Sequence, residues 1–142
     1  MDMILICRDA LENSVIGNVA MAMAAKKEGL DVGILFTEEA LAALAGESFR
    51  WSSLFESRDA RIKISRNATA MGVEVADVKD NRWTDLSRLL KAAREANIRL
   101  LACPIWTRVL DLEGKLPPEI TPINSATLLN QLKETKIIIG GF

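Results

Sequence analysis

The chain has 142 residues, 49% of them apolar, and its 18 basic and 19 acidic side chains leave a formal charge of −1. The near-equal numbers of charges and the lack of a basic block in the sequence argue against a nucleic-acid-binding protein. No apolar stretch is long enough for a membrane span. The chain contains no histidine and only two cysteines, which excludes Ser-His-Asp and Cys-His catalysis, imidazole-based metal sites and a four-thiolate zinc site.

Apolar runs and helical periodicities alternate along the first half of the chain. The stretch "MILIC" (3–7) is a continuous apolar run, typical of a strand buried on both faces. Gly29 is the expected C-terminal cap of the first helix, and Thr37 the expected N-cap of the second. In chain order, the patterns predict a strand at 3–7, a helix at about 14–28, a strand at 31–37, a helix at about 38–45, a loop or a short helical excursion at 47–57, a helix at 58–71 and a strand at 73–78.

The second half continues the alternation. Proline is favoured at the first helical position, so Pro104 predicts a helix start with Cys103 as its N-cap. In chain order, the patterns predict a helix at 83–97, a strand at 98–104, a short helix at 105–112, turns at 113–122, a helix at 125–134 and a strand at 136–140. Alternation of this kind predicts a single domain over 1–142, a three-layer α/β/α sandwich with a mostly parallel sheet of about five strands.

Cys103 is the candidate reactive residue. Ligands of parallel α/β sheets gather at the carboxyl ends of the strands, where Cys7, Thr37 and Cys103 are all predicted to lie. A thiolate at the N-cap can accept the backbone N–H groups of Ile105 and Trp106, and helix N-termini lower the pKa of thiols. Cys7 has no Pro-marked helix start behind it and is predicted to be a packed strand-end residue. Since free cysteines are most often structural, the alternative is that Cys103 is only a packing residue.

For several other residues, a structural role is favoured over a functional one. Trp51, Trp83 and Trp106 could line a pocket, but core or interface packing is favoured. The two cysteines could approach each other at the sheet edge, which would leave a catalytic disulfide open. A basic cluster on the predicted helix at 58–71 could bind an anion, although a charge run is usually a solvated face; its members are Arg58, Arg61, Lys63 and Arg66.

Three stretches together resemble a known family. They are "NVAMAMAAKKEGLDVGILFT" (18–37), the strand end "LLAC" (100–103) and "INSATLLNQLKETKIIIGGF" (123–142). In order and spacing they are similar to the DsrE/DsrF-like (TusD-like) family of small sulfur-relay proteins, while residues 46–82 are not matched. The chain departs from the family after the cysteine, where Pro104 and Ile105 replace small or polar residues.

The resemblance implies a cytoplasmic sulfur carrier or sulfurtransferase. Cys103 would take sulfane sulfur as a persulfide and pass it to an acceptor thiol, with no organic cofactor and no metal. Its partners would be sulfur donor and acceptor proteins, with no nucleic acid and no membrane, and the chain would form a homo-oligomer, a trimer or hexamer. The alternative is a non-catalytic ligand-binding or assembly module in which Cys103 is structural. Aromatic residues are enriched at interfaces, and several crowd one segment: Phe49, Trp51 and Phe55, with Leu54 beside them.

Overall fold

The computed structural model describes residues 1–76 and 84–141. Within them, five strands form a parallel sheet in the order β4-β3-β2-β1-β5. The strands are β1 (Met3–Cys7), β2 (Val32–Phe36), β3 (Arg99–Ala102), β4 (Thr121–Pro122) and β5 (Ile137–Gly140).

Helices lie on both faces of this sheet, so the predicted α/β fold is confirmed. In the described part of the chain they are α1 (Glu12–Lys27), α2 (Glu38–Gly46), α3 (Arg58–Ala70), α4 (Leu86–Glu95), α5 (Pro104–Val109) and α6 (Ser125–Glu134). The predicted cap at Gly29 has a φ of +82°, a left-handed conformation that glycine adopts without strain. None of the described helices is long and apolar enough to cross a membrane.

The two faces of the sheet carry cores of very different size. Successive side chains of a strand point to opposite faces, so Leu5 and Phe36 pack on one side while Ile4 and Leu35 pack on the other. The first side, here the large core, is built with buried side chains from α1, α2, α3 and α4. The second side, here the small core, has five buried members: Ile4, Leu35, Leu101, Cys103 and Leu128.

The central strand fixes where the carboxyl ends of the strands meet. All five residues of β2 are buried, as expected for an apolar strand with a neighbour on each side. Its last residue, Phe36, lies opposite Cys7 of β1 and Ala102 of β3 in the register of the sheet. The ends of β1, β2 and β3 are therefore level, and the loops that follow them share one edge.

The strand predicted at 73–78 is wrong over the residues that the structure describes. Val73 and Val75 are buried and Glu74 is exposed, so the alternating pattern reflects real alternation in burial. Their backbone, however, bonds to helices and loops: Val73 N–H donates to the Ala68 carbonyl, and the Val75 carbonyl accepts from Asp85 N–H. Val73, Val75 and Ala76 thus pack into the large core from an irregular segment outside the sheet. Residues 77–78 lie outside the described residues.

The fifth strand comes instead from the segment predicted as turns. Thr121 and Pro122 pair with Leu101 and Ala102 as the edge strand β4. Proline donates no hydrogen bond to a ladder and is confined to positions such as an edge strand. Neither residue is apolar and buried, so no hydrophobic run marks this strand in the sequence.

Candidate functional site

Three residues at the carboxyl edge of the sheet are joined by backbone hydrogen bonds. Cys7 ends β1, Thr37 follows β2 as the N-cap of α2, and Cys103 follows β3. Thr37 N–H donates to the Cys7 carbonyl at 3.1 Å, and Cys103 N–H donates to the Phe36 carbonyl at 2.9 Å. The backbone of this edge is therefore fixed from one strand to the next, and Cys103 is held by β2 as well as by its own helix.

Cys103 is the N-cap of α5, as Pro104 at the first helical position predicts. Its backbone is extended, with φ −60° and ψ 121°. The Cys103 carbonyl accepts two hydrogen bonds from Thr107, one from the backbone N–H at 3.0 Å and one from the buried hydroxyl Oγ1 at 2.7 Å. The position of the cysteine backbone is thus set by Thr107 on one side and Phe36 on the other.

The Cys103 side chain lies in the small core. It is 8% exposed and packs among Leu35, Leu101 and Leu128. Among the described residues it makes no capping hydrogen bond, so the predicted bonds from the N–H groups of Ile105 and Trp106 are not present in this structure. The reason is direction: the side chain turns toward the apolar side chains of the sheet and α6 rather than over the start of α5.

The other side chains of α5 leave the thiol in apolar surroundings. Arg108 is exposed and belongs to the last turn of α5, at the opposite end of the helix from Cys103. Trp106 is half-buried and packs against both cores, while Ile105 is 57% exposed. Access to the sulfur therefore passes between aliphatic and aromatic groups.

Cys7 differs sharply from Cys103. It is fully buried in the large core, and this burial, with a further contribution from the charge of Asp9, raises the pKa of the thiol to about 12 despite an opposing backbone hydrogen bond from Asp9. At neutral pH such a thiol stays protonated, and the thiolate is the nucleophilic form. The structure thus agrees with the prediction that Cys7 is a packed strand-end residue.

The two cysteines are not placed to form a disulfide. Both are free, and their side chains belong to the cores on opposite faces of the sheet. The strand β2 separates β1 from β3, which puts the two backbones roughly 9–10 Å apart at the usual strand spacing. A disulfide requires Cα atoms within about 7 Å, so the catalytic disulfide that the sequence left open does not fit this geometry.

The remaining residues singled out in the sequence do not converge on Cys103. Trp51 packs against the large core, and Trp83 lies outside the described residues. Arg58, Lys63 and Arg66 are exposed on α3, as a solvated charge run predicts. In the described part of the chain, no group of Cys, Asp and Glu side chains could hold a metal ion.

A cavity of about 860 Å³ lies on the large-core side, and Cys103 does not line it. Glu12, the first residue of α1, is one of its titratable groups. Sequence reasoning missed this residue, because the predicted helix begins only at about residue 14 and leaves Glu12 in a polar loop. Segments distant in the chain enclose Glu12, among them Thr84 before α4 and Arg61 on α3.

One comparison with known proteins identifies a family, and another identifies a similar fold. The model of the DsrE/DsrF/DrsH-like family matches residues 2–139 of this chain. The crystal structure of the ychN protein from E. coli has a similar fold, with a TM-score of 0.55 and 12% sequence identity over 99% of each chain. None of the curated proteins matches this chain.

Proposed function

Because the chain belongs to the DsrE/DsrF/DrsH-like family, whose members are generally related to sulfur relay, we propose that it is a small sulfur carrier whose carrier atom is Sγ of Cys103. The observation that carries the proposal is the place of this thiol. It stands at the carboxyl end of β3, at the N-cap of α5, and on the edge of the sheet where parallel α/β proteins bind their ligands. Cys7, the other thiol of the chain, is buried and protonated.

The transfer needs no cofactor and no net oxidant. The Cys103 thiolate attacks the outer sulfur of a donor persulfide, R–S–SH; a new S–S bond forms, the donor S–S bond breaks, and the donor leaves as a thiolate. Cys103 then carries –S–SH. In the second step an acceptor thiolate attacks that outer sulfur, and Cys103 leaves as a thiolate, ready for another cycle.

The persulfide must be discharged by a thiol from another molecule. Cys7 lies across β2 on the opposite face, so it cannot resolve the Cys103 persulfide as an intramolecular disulfide. Donor and acceptor are accordingly separate proteins or small thiols that reach the carboxyl edge of the sheet. This requirement fits a relay and a reducing cytoplasm, where free thiols persist.

The chain is further proposed to assemble as a homo-oligomer, a trimer or hexamer. Large aliphatic side chains are exposed on α5, α6 and the edge strand β5: Ile105, Val109, Leu129, Ile137 and Ile138. An exposed apolar edge strand is a liability that proteins normally cover. In contrast, Phe49 and Trp51 of the segment first considered as an interface pack against the large core.

Mass spectrometry of the intact protein after incubation with a sulfane-sulfur donor tests the proposed chemistry. The wild-type chain should gain mass in multiples of one sulfur atom, and a reducing thiol should remove it. Cys103→Ser should gain none, and Cys7→Ala should gain as much as the wild type. A folded wild-type protein that never gains sulfur would overturn the proposal.

The same experiment decides the alternative of a non-catalytic binding or assembly module. What favours that alternative is the burial of Cys103 among aliphatic side chains. If Cys103 is only a packing residue, the wild-type protein will gain no sulfur. Cys103→Ala will then change only the stability of the fold. Light scattering completes the test of assembly, since a clean 15.6 kDa species would contradict it. Ile138→Lys should dissociate the oligomer, and Met71→Lys, at a residue exposed elsewhere, should leave it intact.

A further inference from the structure

The cavity of about 860 Å³ on the large-core side has no role in the sulfur chemistry proposed above. Its volume is in the range of pockets that hold small organic ligands. Four separate stretches of chain enclose it: the first residue of α1, the end of α2 with the residues after it, the first turns of α4, and residues 115–119. A pocket assembled from four distant stretches is a property of the fold rather than of one loop.

Two sides of the cavity are formed at the carboxyl edge of the sheet. Helix α1 follows β1, so it begins at the carboxyl edge. Helix α4 leads directly into β3 and runs against it, so its first turn lies at the same edge. Two of the four lining stretches, the first residue of α1 and the first turn of α4, therefore lie at the edge where parallel α/β sheets bind ligands. The cavity lies on the large-core face, whereas Cys103 belongs to the small core.

Three charged residues of the cavity lining are half-buried: Glu12, Arg88 and Glu119. Of these three, Glu12 is the candidate partner for a charged ligand. Its carboxyl shares a hydrogen bond with the Thr84 side chain and lies near the charge of Arg61, and both lower its pKa. Burial has the larger effect, so the pKa of Glu12 is raised above its ordinary value. The Glu12 carboxylate is thus partly shielded from solvent, and Thr84 and Arg61 do not fully offset the cost of its burial. A cation bound beside the carboxylate would stabilise its charged form.

The walls suit an apolar body next to that carboxylate. Leu44, Phe49 and Leu116 line the cavity and belong to or pack against the large core. The aromatic face of Phe49 is also a favourable neighbour for a cation. Acidic residues outnumber basic ones in the lining: the acidic ones are Glu12, Glu47, Asp85 and Glu119, and the basic ones are Arg88 and Lys115.

We infer that this cavity binds a small organic cation, an amine or amidine with an apolar body, whose charge pairs with the carboxylate of Glu12. Leu44, Phe49 and Leu116 hold the apolar part. An anion is disfavoured by the acidic lining, and Asp85 already accepts the backbone N–H of Arg88 in the first turn of α4, at 3.2 Å. The inference does not depend on the sulfur-carrier proposal, because Cys103 takes no part in it.

Three probes of one shape separate charge recognition from simple burial. Benzamidinium, benzamide and benzoate are titrated into the ¹⁵N-labelled protein, and backbone chemical shifts are followed by NMR. Benzamidinium should saturate and shift the amides of residues 43–49 and 84–90, while benzamide binds at least about tenfold more weakly and benzoate more weakly still. Equal binding of benzamide, tighter binding of benzoate, or no saturable shift from benzamidinium would overturn the inference.

Two matched variants locate the counter-ion. Glu12→Gln keeps the shape and hydrogen-bonding capacity of the side chain and should weaken benzamidinium by about tenfold or more. Glu39→Gln removes a carboxylate from the first turn of another helix, α2, that does not line the cavity, and should leave binding unchanged. The NMR spectrum of each free variant establishes that it is folded. A folded Glu12→Gln variant that binds as tightly as the wild type would overturn the assignment of Glu12.

Discussion

Cys7 and Cys103 lie at the same edge of the sheet, yet their surroundings differ because their side chains point to opposite faces. The large core around Cys7 receives side chains from four helices, and Cys7 is completely buried there. The small core around Cys103 is covered mainly by α6, in which Leu128 is the one buried residue. The Cys103 thiol, in the small core, can therefore be reached by another molecule, whereas the Cys7 thiol, in the large core, cannot.

Selective alkylation should reveal the largest difference between the two sites. With a pKa of about 12, Cys7 should react with iodoacetamide near pH 7 about a thousandfold more slowly than an ordinary cysteine, from its thiolate fraction alone. Cys103 is expected to account for essentially all labelling, measured by peptide mass spectrometry. Cys7→Ala should label like the wild type and Cys103→Ser should not label. Faster labelling of Cys7 in the native protein would show that the reactive-cysteine hypothesis is wrong.

Truncating one leucine on each face should reveal the unequal depth of the two cores. Leu5→Ala removes a fully buried side chain from the large core, and we expect it to lower the free energy of unfolding by about 4 kcal/mol. Leu128→Ala, on the lightly covered face, should cost about 2 kcal/mol, since its site collapses or hydrates more easily. Urea denaturation measures both. Equal losses would mean that the small core is as tightly packed as the large one.

Much of this layout can be predicted from the sequence, because local apolar runs decide it. The strand at 3–7 and the helix at 125–134 have the bounds that the patterns predict. The strand prediction at 73–78 was wrong over the described residues because residues 73–75 alternate in burial in an irregular segment, as they would in a strand. The two residues of β4 are defined by their pairing with β3, which no local pattern contains.

The site could be predicted only in part for a similar reason. The helix start at Cys103 follows from Pro104, a local effect, and the structure has it. The direction of the thiol depends on Leu35 and Leu128, which are far away in the chain, so the predicted hydrogen bonds to its sulfur were wrong. Glu12 was missed because its enclosure also comes from distant segments.

Alkaline pH should destabilise the protein through the buried Cys7. The folded-state pKa is raised from the ordinary value of 9.0 to about 12, so between these values the unfolded chain loses the proton while the folded chain keeps it. The contribution is fully present below about pH 9 and is lost as the pH rises toward 12, by up to about 1.4 kcal/mol per pH unit. Urea denaturation at several pH values should show a shallower alkaline loss for Cys7→Ala. An identical slope would contradict the burial of a protonated thiol.

The smallest expected effect concerns the helix that covers Cys103. Asn124 caps α6 by accepting the backbone N–H of Thr127 at 2.8 Å, and Asp85 caps α4 on the other face in the same way. Removing either cap should cost about 1 kcal/mol, or roughly fivefold in a local opening equilibrium. Because α6 lies over the small core, Asn124→Ala should speed hydrogen exchange in α6 and also raise the alkylation rate of Cys103 by up to that factor. Asp85→Ala should speed exchange in α4 and leave the alkylation of Cys103 unchanged. If both variants alter Cys103 equally, access to the thiol depends on global unfolding, and the thin cover of the small core is not what distinguishes the two cysteines.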